Sequence, residues 1–225
     1  MSYVVNKIKR LGQKDLWAHF WDTLKYSFHI IFHPADGFWD LIHEKRGSMS
    51  AATFILVMTL LTHLWKLQET SFMFMNIKKD EINVLMECAT ILLPFLIFCL
   101  CNWGVTTLFD GKGKLKDIYM GTAYAFTPYI LIQIPLILLS QFITRDEGTF
   151  YVFFDYFSFI WCGILIFMAM VEIHQYSVGK TILFIIGTLF GMLVFIFIML
   201  LFFSVISQAV AYFISLGREI LFRLS

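Results

Sequence analysis

Charge is what this sequence has least of. Asp, Glu, Lys and Arg make up only 15% of its 225 residues, where a soluble globular domain carries about a quarter. So few charges cannot cover the surface of a soluble fold of this length. The charges that exist nearly cancel, 17 basic against 16 acidic, which excludes the one-sided basic footprint of a nucleic-acid binder. Cysteine is scarce too: Cys88, Cys99, Cys101 and Cys162 all fall in apolar runs, where a thiol acts as a small apolar side chain. Cys99-x-Cys101 lacks metal-site spacing and a second Cys or His pair, so no metal is expected. No HExxH, nucleophile elbow or glycine-rich dinucleotide loop occurs, and neither catalysis nor a cofactor is expected. "HQYSVGKT" ends like a phosphate loop, but His174 stands where that motif needs its first glycine. It reads as the turn into an apolar run. No cleavable signal peptide is expected, because the first apolar stretch is interrupted by Asp15, His19 and Asp22.

What fills the sequence instead is apolar and aromatic: 59% and 18% of residues, with a mean hydropathy of +0.76. Several runs exceed the roughly 18 apolar residues that mark a membrane-crossing helix. The expected fold is all-α, a polytopic membrane helix bundle with five transmembrane helices and flanking amphipathic interfacial helices. The spans read as Ser48–Trp65, Asn83–Phe109, Ile118–Ile143, Tyr151–Val171 and Thr181–Phe203. This divides the chain into a cytoplasmic N-terminal segment, 1–47, a five-span membrane domain, 48–203, and a C-terminal helix, 204–225. From Trp17 onward, Phe20, Trp21, Leu24, Phe28 and Ile31 recur at helical spacing, with Asp22, Lys25 and His29 largely elsewhere on the wheel. That is an amphipathic helix suited to headgroup level. The C-terminal "AYFISLGREILFRLS" has similar character, and its pattern fits either an interfacial helix or a longer fifth span.

Lys and Arg in the connections set orientation. Eleven lie on the side of the N-terminus (Lys7, Lys9, Arg10, Lys14, Lys25, Lys45, Arg46, Lys112, Lys114, Lys116 and Lys180), and six on the other. The N-terminus is therefore expected in the cytoplasm, the C-terminus outside, and the protein in the plasma membrane.

In "DGKGKLKDIYMGTAYAFTPYILIQIP" a short hydrophilic stretch turns into an apolar run holding two prolines. Asp110, Gly111 and Gly113 are expected to form the turn that ends the second span, with Lys112, Lys114 and Lys116 meeting anionic headgroups. Tyr124, Pro128 and Pro135 mark the kinking part of the third span; proline is tolerated there because neighbours satisfy the freed carbonyls. Gly121 with Ala125, and Gly187 with Gly191, have the spacing that lets helix backbones approach. Packing within one bundle is the commoner use of that spacing, and a homo-oligomer is the other. Near the midplane stand only Asn102, Thr127 and Gln133, none charged. His63, Glu87 and Asp155 are the ionisable residues inside spans, the default place to look for a site. A shared proton or cation cluster is one reading; separate placement toward the outer headgroups is the expected one.

The stretches "HPADGFWDLIHEKRGSMSAA", "LFDGKGKLKDIYMGTAYAFTPYILIQIP" and "HQYSVGKTILFIIGTLFG" resemble the Yip family, the Ypt-interacting membrane proteins, and more its bacterial branch. The resemblance runs from about His33 to the end, with Gly121, Tyr124 and Pro128 similar to the family's third-span pattern. It implies five spans, a cytoplasmic N-terminus and a non-enzymatic membrane organiser. Eukaryotic members bind Rab-type GTPases through a longer N-terminal region. Here only residues 1–47 precede the first span, so GTPase binding is not expected. Some bacterial members resemble accessory subunits of solute transporters. The expected partners are membrane lipids and other integral membrane proteins, a transport complex among them. The alternative is a small-solute or ion permease.

Overall fold

The computed structural model describes residues 2–71, 82–109, 111–144 and 147–224; the side chains of 2–16, 220, 221 and 224 fall outside the description. The described chain forms eight helices and no strand. These are α1 (Ser2–Phe32), α2 (Pro34–His43), α3 (Met49–Glu69), α4 (Val84–Thr107), α5 (Leu115–Tyr124), α6 (Thr127–Ser140), α7 (Gly148–His174) and α8 (Val178–Leu224). Five stretches are long and apolar enough to cross a membrane: α3, α4, α5 with α6, α7, and α8.

Local chemistry sets the helix starts. Ser48 caps α3 by accepting the Ala51 N–H at 3.1 Å, and Asn83 caps α4 by accepting those of Leu85 and Met86. Pro94 and Pro135 lie inside α4 and α6, and neither interrupts its helix. Pro128, in the first turn of α6, coincides with a break, as does Pro34 at the start of α2. Asp110, expected in the turn after the second span, lies outside the described residues, as do Lys78, Lys79, Arg145 and Asp146.

The core sits between α3, α5 and α7, where Ala51, Ile55, Ile118, Ala123, Leu165 and Ala169 are buried together. The N-terminal helices close one end of it. Gly37 of α2 permits this, since a Cβ there would lie 2.9 Å from the Ile30 Cα of α1. The aromatic face expected on α1 divides in two. Phe20, Leu24, Ile30 and Ile31 pack on the core, while Trp17, Trp21 and Phe28 stay exposed.

Of the two forms open to the C-terminal stretch, the structure shows one continuous helix: α8 runs unbroken from Val178 to Leu224, 47 residues in all. At ~1.5 Å per residue that is about 70 Å, roughly twice a hydrocarbon core. Every described side chain from Ile196 to Glu219 is exposed.

Candidate functional site

The third span breaks because proline has no N–H. Residue 128 would otherwise donate to the Tyr124 carbonyl; instead the Thr127 hydroxyl donates to that oxygen at 2.7 Å. The chain turns through Ala125 and Phe126, and Tyr124 is left fully buried. Its hydroxyl donates to the Thr23 carbonyl of α1 at 3.1 Å and accepts from the Ser48 N–H at 3.5 Å. The Thr23 and Ser48 hydroxyls lie 3.1 Å apart. One ring thus ties the third span to α1 and to the cap of α3. Beside this joint, Tyr26 donates to the Asp40 carboxylate at 3.0 Å and clamps α1 to α2. Burial, then the bond to Asp40, holds the Tyr26 hydroxyl above its usual pKa.

The "GKG" stretch, Gly111–Gly113, wraps the end of α7. Gly111 closes α4 by donating its N–H to the Thr106 carbonyl at 2.8 Å. A Cβ at Gly111 would lie 3.0 Å from His174 Nδ1, and one at Gly113 would overlap the Ile173 methyl and sit 2.7 Å from the His174 ring. His174 is buried. Its Nε2 lies 3.0 Å from Asn102 Oδ1, and Asn102 Nδ2 donates to the Thr188 hydroxyl at 3.1 Å. With the Asn102 amide donating to Thr188, its oxygen is left to accept from His174 Nε2–H. Nδ1 is then a bare acceptor beneath the two glycines, without a partner among the described residues. The histidine that replaces a phosphate-loop glycine in the sequence therefore locks α4, α7 and α8 together.

The small residues face neighbours in the same chain. A Cβ on Gly121 would approach Ile173 Cδ1 to 2.7 Å and Ala169 Cβ to 3.3 Å, both on α7. Gly187 and Gly191 face Val105 and Cys101 of α4 with room to spare, at 3.6 and 3.7 Å. Ala125 is fully buried.

At the other end of the bundle the ionisable residues fall into two pairs, His63 with Glu87 and Asp155 with Lys66. His63 Nε2 lies 3.3 Å from the Glu87 carboxylate, and His63 Nδ1 lies 3.2 Å from the Tyr129 hydroxyl. Asp155 is held by Lys66 at 2.5 Å and by Gln133 Nε2 at 2.6 Å; Gln133 Nε2 also donates to Ser158. Lys66 Nζ sits 5.6 Å from the Phe159 ring centre, a cation–π contact. These pairs link α3 to α4, α6 and α7. The physical reason is dielectric: each charge gains more from a partner in a neighbouring helix than from an isolated place in hydrocarbon. Gln133 Oε1, fully enclosed, has no partner among the described residues.

Sequence reasoning missed Lys66, one of the six basic residues counted on the outer side, along with Tyr129 and His174. The signal for Lys66 was its spacing: three residues after His63, it shares a helix face with it. Nothing in the sequence pointed to Tyr129, one aromatic among many.

The arrangement ties helices together. No curated protein and no solved structure matches the chain. The Yip1 domain family matches residues 28–201, a stretch that starts within α1, takes in Tyr124 and Ser48 of the joint and the His174 lock, and ends inside α8. The chain is therefore a membrane protein with five candidate spans that belongs to the Yip1 domain family.

Proposed function

We propose that this chain is a non-enzymatic integral membrane adaptor that holds a partner membrane protein, a solute-transport complex being the favoured class, along α8. The observation that carries this reading is the length and bareness of that helix. The most apolar 18-residue window of α8 has no buried residue, against 56% in the third span. About 20 residues cross the hydrocarbon, yet the sequence stays apolar through "SVISQAVAYFISL", beyond the family match. Apolar surface carried past the bilayer needs a cover. The packed glycines and the Tyr124 joint suit a rigid frame for presenting such a helix. Affinity recovery from native membranes tests the reading. The full chain recovers a membrane-protein partner, and a chain truncated after Phe203 loses it while keeping its own thermal stability, because residues 204–219 bury nothing. Equal recovery by both forms would remove the part of α8 beyond Phe203 as the dock.

A permease is the competing reading, and the polar network between α3, α4, α6 and α7 is the observation on its side. In that network, however, Lys66 and Asp155 are paired to each other, and the Glu87 carboxylate is engaged by His63. Specific solute flux into liposomes holding this chain alone would decide for the permease.

A further inference from the structure

Where the N-terminal helices meet the bundle there is a cavity of about 610 Å³. Three lysines from two distant stretches line it: Lys45 after α2, and Lys114 and Lys116 at the start of α5. Lys45 has φ of 55°, a left-handed backbone uncommon for lysine. The next residue, Arg46, is engaged by Glu44 at 2.8 Å and lies 3.9 Å from Asp40, whereas Lys45 lines the cavity. None of the three lysines makes an ion pair among the described residues. One carboxylate lines the cavity, Asp117, and it accepts the Lys114 backbone N–H at 3.3 Å. His19 is the remaining titratable group there. Two helices, α3 and α5, begin at the cavity, so their positive ends add to the lysines.

The rest of the wall is mostly apolar, Leu41, Ile42, Met49 and Met120, with Gly47 and Ser48 between them. Beside it on α1, Trp17 and Trp21 are exposed, the residue type that settles at headgroup depth. A cationic rim over an apolar wall matches a molecule with a phosphate at one end and methylenes at the other; a soluble anion would use the rim alone.

We propose that this cavity binds the phosphate headgroup of an anionic phospholipid. Lys45, Lys114 and Lys116 take the phosphate, and Leu41, Met49 and Met120 cover the glycerol and upper acyl carbons. This is a defined site between two segments, distinct from a general attraction of basic loops to the membrane.

The test titrates the full-length chain in detergent with phosphatidylglycerol against phosphatidylcholine and counts retained lipid by native mass spectrometry. One phosphatidylglycerol is retained in preference. K45Q/K114Q/K116Q weakens it at least about tenfold, since each basic residue near such a headgroup contributes about 1 kcal/mol. K25Q/K112Q/K180Q, the same charge change outside the cavity, stays within about twofold, and K45R/K114R/K116R retains the lipid. Equal losses in the cavity and control variants would reduce the effect to diffuse attraction and overturn the site. If the triple variant fails to fold, K45Q alone, on an exposed side chain, loses about fivefold; wild-type affinity for K45Q overturns the proposal. Inorganic phosphate at millimolar concentration leaves the bound lipid in place. Displacement by phosphate would assign the cavity to a soluble anion and end the lipid reading.

Discussion

At the residue scale, the glycines divide into two kinds that spacing alone does not separate. Gly113 lies against Ile173 and the fixed His174 ring, so a side chain there forces the turn off α7. Gly113→Val is expected to lower stability by about 1–3 kcal/mol, the usual range for overpacking. Gly187 and Gly191 accept a methyl at ordinary contact distance, and Gly→Ala in a helix interior gains up to about 1 kcal/mol. Thermal unfolding in detergent should therefore rank Gly113→Val below wild type and Gly187→Ala/Gly191→Ala at or above it. Equal losses in both would contradict the packing. The Lys66–Asp155 pair gives a second prediction. Asp155→Leu strands the Lys66 charge, and breaking a buried pair costs about 3–5 kcal/mol. The low end applies, since both side chains keep some exposure. Lys66→Met/Asp155→Leu should recover most of that loss, because an apolar pair of similar volume avoids the desolvation penalty. A double variant no better than the single would mean the charges serve something other than each other.

At the scale of elements, the break between α5 and α6 is a balanced exchange of hydrogen bonds. Pro128 withholds one donor and Thr127 replaces it. Thr127→Val should orphan the Tyr124 carbonyl, at about 1–3 kcal/mol. Thr127→Val/Pro128→Ala should regain stability, because the substituted alanine supplies the N–H that proline lacks. Failure of that rescue would show that the break rests on packing alone. Tyr124→Phe removes the bonds to Thr23 and Ser48. It is expected to raise hydrogen exchange over residues 23–32 of α1, with the spans unchanged. Unaltered exchange there would deny Tyr124 its role as the tie.

For the molecule as a whole, orientation is the property that every partner and lipid depends on. In a background with the four cysteines replaced, a cysteine at exposed Lys112 should be shielded from an impermeant reagent in intact cells. One at exposed Glu147 should be labelled. Gly113 would be a poor reporter position, since any side chain there collides with α7. Labelling of Lys112 would reverse the orientation derived from loop charges, and with it the leaflet that faces the lysine cavity.

Five candidate spans and the family's central block could be read from the sequence alone. Hydrophobic length is a local, additive property, and five apolar runs between polar turns already require five crossings. Which helix stands beside which is not local. His63 and Glu87 belong to one pair, and Lys66 and Asp155 to another, only because α3 lies against α4 and within reach of α7; no period in the sequence encodes those distances. The same holds for His174, whose reach to Asn102 and Thr188 joins three helices, and for the lysine cavity, built from stretches about seventy residues apart. The unbroken α8 was undecided for another reason. Apolar and amphipathic patterns both permit a helix past Phe203, and only the folded chain shows that no turn intervenes.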